Sequence, residues 1–259
     1  MSQLLRDSRG LIACVSSSNS IGYSIARECV DQGGSVVLAC RPGRRGTVET
    51  LGVELGARVV ALDAGDEPSV ASAIEEGASA LGGLDFLVHT LISVPEGALE
   101  RSLFEVSQRD FQEVMDVGVH SLIVLARQCV PWLKLSSHPR IVTLLSPGAE
   151  YAIANYHLVG IAKAALASAV RYLAQELGPV GVACNAVSFS MIETDAAERV
   201  IGTSVARQTV DYVTRHSMTR KPLEPVDVAK AVVFLSSGEC RNITGGNITI
   251  DGGDTVNYF

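Results

Sequence analysis

Short apolar runs alternate with amphipathic stretches along almost the whole chain. Leu11–Val15, Ser35–Cys40, Arg58–Leu62, Leu84–His89, Arg140–Leu145, Gly181–Val187 and Asn247–Ile250 read as strands. Most are apolar at successive positions, the pattern of strands covered on both faces. Apolar residues recur at helical spacing over Ile21–Asp31, Arg45–Leu55, Pro68–Leu81, roughly Ser107–Trp132, about Asn155–Leu177 and Val226–Leu235. Gly33-Gly34 and Gly178-Pro179 supply stop signals. Strict alternation predicts an α/β chain: a single domain over 1–259, built on a doubly wound parallel sheet of about seven strands with helices on both faces. The ligand crevice of such a sheet lies at the carboxyl ends of its strands.

The helix expected after the fifth strand starts at that crevice and carries Tyr156 and Lys163, seven residues apart. Two turns put them on one face, about 10 Å apart along the axis. Both can then reach a ligand lying along the helix, and the ammonium would make the phenol a better proton donor. The plain alternative is a packed Tyr156 and a solvated Lys163.

Composition narrows the options. With 259 residues, 47% hydrophobic and 19% charged, the chain can bury one extensive core. A net charge of −7 without a dense basic run argues against nucleic acid and against an anionic membrane. No apolar signal region opens the sequence, and runs such as Leu122–Ala126 are too short to span a bilayer. The six cysteines lack Cys-x-x-Cys spacing, which fits reduced thiols and a cytoplasmic location. No grouping of His, Cys and carboxylates suggests a metal.

Four features carry a resemblance to the short-chain dehydrogenase/reductases: Cys14–Ala26, the Tyr156/Lys163 helix, Asn185–Thr194 and Asp251-Gly252-Gly253. Most of that superfamily places three residues between Tyr and Lys. Here six intervene and Val159 stands at the usual tyrosine position, which is the spacing of the enoyl-acyl-carrier-protein reductases. Ser20-Ile21, Val88-His89-Thr90, Asp116 and much of Gly148–Tyr172 are similar to that subfamily too. The resemblance implies a Rossmann-like fold, a nicotinamide cofactor, a substrate lid at about 189–222 and a homotetramer or homodimer. It also implies hydride transfer to the β-carbon of an α,β-unsaturated acyl thioester, with an acyl carrier protein as candidate partner. Arg199, Arg207, Arg215, Arg220 and Lys221 on the lid fit such an acidic partner, or simply a solvated face. Moving the tyrosine three residues back shifts it by about 4.5 Å, which suits a phenol serving an oxygen two bonds beyond the carbon that receives hydride.

In the family the first turn is glycine-rich because backbone must approach a pyrophosphate closely. Here only Gly22 stands at its expected place; Ser16 and Ser20 replace the first two glycines, and Ile21 follows. A β-carbon at Ser16 is expected to crowd the phosphate or to demand a φ that serine tolerates badly. After the second strand no acidic residue can grip a ribose hydroxyl. Arg41, Arg44 and Arg45 offer guanidinium groups instead, so NADPH is expected in preference to NADH. By resemblance, Asp63 and Ala64 border the adenine and Leu91 the ribose or nicotinamide side. Lys163 holds the nicotinamide ribose, and Ile192 and Thr194 contact the carboxamide and pyrophosphate. Ser146, ten residues before Tyr156, and Tyr151 are rival candidates for a second hydroxyl at the thioester oxygen. Two other readings stay open: a carbonyl reductase of a specialised biosynthetic pathway, and a non-redox lyase or binding protein on the same scaffold. Ser16, and Phe189-Ser190 in place of a Pro-Gly pair, motivate the last.

Overall fold

The structure, a computed structural model, describes residues 3–257. Its first half runs β1 (Arg9–Ala13), α1 (Ile21–Asp31), β2 (Ser35–Cys40), α2 (Arg45–Leu55), β3 (Arg58–Ala61), α3 (Glu67–Leu81) and β4 (Phe86–His89). The second half runs α4 (Gln108–Met115), α5 (Ser121–Leu133), β5 (Arg140–Leu145), α6 (His157–Leu177), β6 (Ala183–Phe189), α7 (Asp195–Ile201), α8 (Thr203–His216), α9 (Pro225–Ser236) and β7 (Asn247–Ile250). The seven strands form one sheet in the order β3-β2-β1-β4-β5-β6-β7, and every neighbouring pair is parallel. Strand order reverses between β1 and β4, which opens the crevice where ligands of such sheets bind.

Continuously apolar strands are what this architecture needs, because helices cover both faces. Leu11 and Ala13 face the layer holding residues of α3, α5 and α6, while Ile12 between them faces the layer of α1, α2 and α9. Leu11, Ile12 and Ala13 are fully buried. The stretch Gln108–Leu133 is long and apolar enough to cross a membrane by composition, but half of its apolar window is buried inside this domain.

Four boundaries depart from the expectation in ways that matter for the site. β1 ends at Ala13 rather than at Val15, because Cys14 takes a left-handed φ of 82° and breaks the extended run. The stretch from 108 to 133 is interrupted by a π-helical turn, Asp116–His120. α6 begins at His157, so Tyr156 is its N-cap residue, outside the first turn, and follows Asn155 at φ 55°. The region 189–222 holds two helices, α7 and α8, separated at Gly202 with φ 81°.

Candidate active site

The loop between β5 and α6 brings Tyr156 to Ser146. The phenol donates a 3.1 Å hydrogen bond to Ser146 Oγ. The loop can sit this close to α6 because two glycines leave room. A Cβ on Gly148 would lie 2.6 Å from the Tyr156 ring, and one on Gly160 would lie 3.0 Å from the Gly148 carbonyl oxygen. Burial raises the Tyr156 pKa, and the Ser146 hydroxyl pulls it partly back.

Lys163, two turns further along α6, is buried, and its Nζ donates to the Leu144 carbonyl at 2.7 Å. Burial lowers its pKa to about 8. The ammonium turns to the end of β5, and the hydroxyl to Ser146. Of the two rivals for the second hydroxyl, Ser146 is the one at the phenol. Tyr151 is half exposed and makes no side-chain hydrogen bond among the described residues.

Along the carboxyl ends of β2, β3 and β4 runs a cleft of about 250 Å³, lined in part by Arg41, Asp63, Ala64, Leu91 and Val117. Asp63 turns its Oδ1 back to the Gly65 amide at 3.0 Å. Arg41 and Arg44 are exposed and make no side-chain hydrogen bond or ion pair among the described residues, whereas Arg45 is paired with Glu49 at 2.9 Å. At the start of α1, Ser20 accepts from the Tyr23 amide and donates to the Ser17 carbonyl. Ile21 is the first residue of that helix. On the far side of the crevice, Ile192 is buried and Thr194 caps α7, its hydroxyl accepting from the Ala197 amide at 3.2 Å.

Residues 15–255 match the family profile described as enoyl-(acyl carrier protein) reductase. The chain belongs to this family. It is thereby an oxidoreductase of the short-chain dehydrogenase/reductase superfamily. One relative, the NADH enoyl-acyl-carrier-protein reductase of Aquifex aeolicus, is 32% identical over 96% of this chain and 92% of its own. Among solved structures, that of the Anaplasma phagocytophilum enoyl reductase in complex with NAD aligns with a TM-score of 0.92 at 28% identity, covering 99% of this chain and 97% of its own. The Bacillus cereus enoyl-acyl carrier protein reductase with NADP+ and an indole naphthyridinone aligns with a TM-score of 0.92 at 25% identity, covering 98% of each chain.

In this enoyl reductase family member the strained position of the first turn is not Ser16. Cys14, two residues earlier, carries the positive φ, and Ser16 is absent from the left-handed residues. The reason is local: the amides of both Cys14 and Val15 bond to the Ala39 carbonyl, which forces the chain to turn at Cys14. Gly22 then packs on that bend, since a Cβ there would lie 2.6 Å from the Cys14 carbonyl oxygen. Thr90 Oγ1 donates to the same carbonyl at 3.0 Å. A positive φ at a non-glycine residue gives no periodicity signal, so Cys14 was not visible as the special residue.

His89 also has a place behind the site. It is buried, with Nδ1 2.8 Å from Thr143 Oγ1 and Nε2 2.9 Å from Ser121 Oγ, and Ser121 donates to the Val117 carbonyl of the π-turn. Burial first, and Lys163 second, push its pKa down to about 3, so it stays neutral. The ring ties β4 and β5 to the π-turn. The mid-helix Gly118, whose Cβ would lie 2.9 Å from Ile92 Cδ1, was the sequence trace of that turn.

Proposed function

We propose that this chain reduces the double bond of α,β-unsaturated acyl thioesters with a nicotinamide cofactor, and that NADPH is preferred to NADH. The observation that carries the reading is the Tyr156–Ser146 hydrogen bond beside the buried Lys163, at the open end of the crevice. The residues present suit a dinucleotide. The bend at Cys14 and Gly22 brings backbone close to the start of α1, and the Ser17 hydroxyl oxygen is buried in this turn. Arg41, Asp63, Ala64 and Leu91 would hold the adenosine half along the cleft, while Ser20, Ile21 and Thr194 would border the pyrophosphate and Ile192 the carboxamide. Ser16 flanks this turn as a further phosphate partner. Lys163 would hold the nicotinamide ribose.

When bound, the nicotinamide supplies the hydride that adds to the β-carbon. The electron pair of the double bond moves to the thioester oxygen, and Tyr156, oriented by Ser146, gives that oxygen its proton. The resulting enol tautomerises to the saturated thioester, and solvent returns the proton to Tyr156. Lys163, charged, would add favourable potential for the developing negative oxygen. The helices α7 and α8 serve as the lid over the acyl chain, and an acyl carrier protein is the natural carrier of the substrate.

Arg41 and Arg44, uncommitted at the end of β2, support the choice of NADPH: two guanidinium groups suit a 2′-phosphate, and no carboxylate there competes for a free hydroxyl. The Aquifex relative is an NADH enzyme by name, so the preference is a property argued for this chain alone. Initial rates on crotonyl and acetoacetyl thioesters, each with NADPH and NADH, test both statements. Reduction of crotonyl thioester, faster with NADPH, is the expected result. Activity confined to the acetoacetyl thioester makes the protein a carbonyl reductase, and absence of dinucleotide binding returns the non-redox reading. Arg41→Asp should lower NADPH affinity at least tenfold while leaving NADH affinity within about threefold.

A further inference from the structure

The lid reaches across to the first turn through one carboxylate. Asn19 Nδ2 donates to Asp195 Oδ1 at 3.1 Å, joining two residues 176 positions apart. The Ser17 hydroxyl, its oxygen buried, lies at the same carboxylate. Ser17 and then Asn19 hold the Asp195 pKa below the usual carboxylate range, with Arg199 and Arg44 adding to the effect. Arg41 and Arg199 also act on the Cys14 thiol at the base of this turn. A hydroxyl and an amide thus meet this carboxylate, and the Arg199 and Arg44 guanidinium groups add favourable charge. That is the equipment of an anion site, and the anion it holds here is the protein's own side chain.

We propose that Asp195 is a built-in occupant of the phosphate-binding turn, and that its displacement sets how tightly the dinucleotide is held. The proposal rests on the dinucleotide reading above. Two anions within a few ångströms repel strongly once partly removed from water, so a pyrophosphate seated on Ser17 and Asn19 requires the Asp195 carboxylate to leave. The Asn19–Asp195 contact and a pyrophosphate on this turn are therefore mutually exclusive. Asp195 is therefore a positioning residue: it touches the turn, not the reacting atoms. It is partly exposed, so its replacement leaves the core untouched.

Titration of NADPH and NADH by fluorescence, with the parent chain and with Asp195→Asn, Asp195→Ser and Asp195→Glu, tests this. Asparagine keeps an oxygen for Asn19 and removes only the charge. The expected result is dissociation constants at least about fivefold lower for Asp195→Asn and Asp195→Ser, for both dinucleotides, with Asp195→Glu near the parent. Parental or weaker affinity in Asp195→Asn overturns the proposal while leaving the site reading intact, provided the parent binds. Failure of the parent and all three variants to bind either dinucleotide overturns both.

Discussion

Tyr156 and Ser146 share a 3.1 Å hydrogen bond across the loop joining β5 to α6, with the phenol donating. Two hydroxyls in contact, one of them buried and raised in pKa, give the site one oriented proton donor. Tyr156→Phe is expected to lower kcat by at least about 100-fold, the usual worth of a placed general acid, with dinucleotide affinity unchanged within about twofold. Ser146→Ala removes the orienting partner only and should cost about tenfold in kcat. Steady-state kinetics alongside fluorescence titration separate the two effects; a Tyr156→Phe variant as active as its parent would falsify the mechanism.

Tyr156 is held in place by an absence of side chain opposite it. A Cβ at Gly148 would enter the phenol ring at 2.6 Å, closer than real packing permits. Gly148→Ala should therefore move the ring off Ser146 and reduce kcat about tenfold or more, since small displacements of a reacting group cost rate steeply. Gly148 sits in a surface loop, so urea unfolding should register a loss of no more than about 2 kcal/mol. Loss of folding with no selective loss of rate would show that the contact supports the loop and not the phenol.

The strain at Cys14 makes a prediction of opposite sign. A non-glycine residue at φ 82° stores about 1 kcal/mol that glycine would not. Cys14→Gly should raise the melting temperature by about 2–4 °C, as expected for a domain of this size. The variant should also bind dinucleotide at least as well as the parent, since the turn keeps its path. A lower melting temperature would mean that packing of the Cys14 side chain outweighs the relief of backbone strain.

These residues also show what was legible before the structure. The strands Ser35–Cys40 and Arg140–Leu145 lie where the apolar runs placed them, because a strand covered on both faces writes its limits in hydrophobicity. The alternation gave the parallel sheet for the same reason. Cys14 and the π-turn at Asp116–His120 escaped, since neither backbone geometry leaves a mark on the period of the apolar positions. Tyr156 and Lys163 were visible by spacing and Ser146 as one of two candidate hydroxyls, but not the partner of Lys163: Leu144 offers a carbonyl, which no side-chain pattern records. No pattern in the sequence sets Asp195 apart, and only the folded chain places it against Asn19.

Lys163 supplies a pH dependence whose sign follows from its burial. Its pKa falls from 10.5 to about 8 because the charged form is desolvated. Between these values the unfolded chain keeps a proton that the folded chain has released, so stability rises with pH across that window. The ammonium needed at the site is lost over the same range as pH passes about 8 in the free enzyme. Activity and stability should therefore diverge: kcat/KM, which reports ionisations of the free enzyme, declines above about pH 8 while the free energy of unfolding increases. Lys163→Met removes the titrating group, and the stability difference between parent and variant should shift by up to about 3 kcal/mol between pH 8 and pH 10.5. Urea unfolding of both chains at four or five pH values reads that shift directly. A difference constant with pH would place the Lys163 ammonium in water, incompatible with its bond to Leu144.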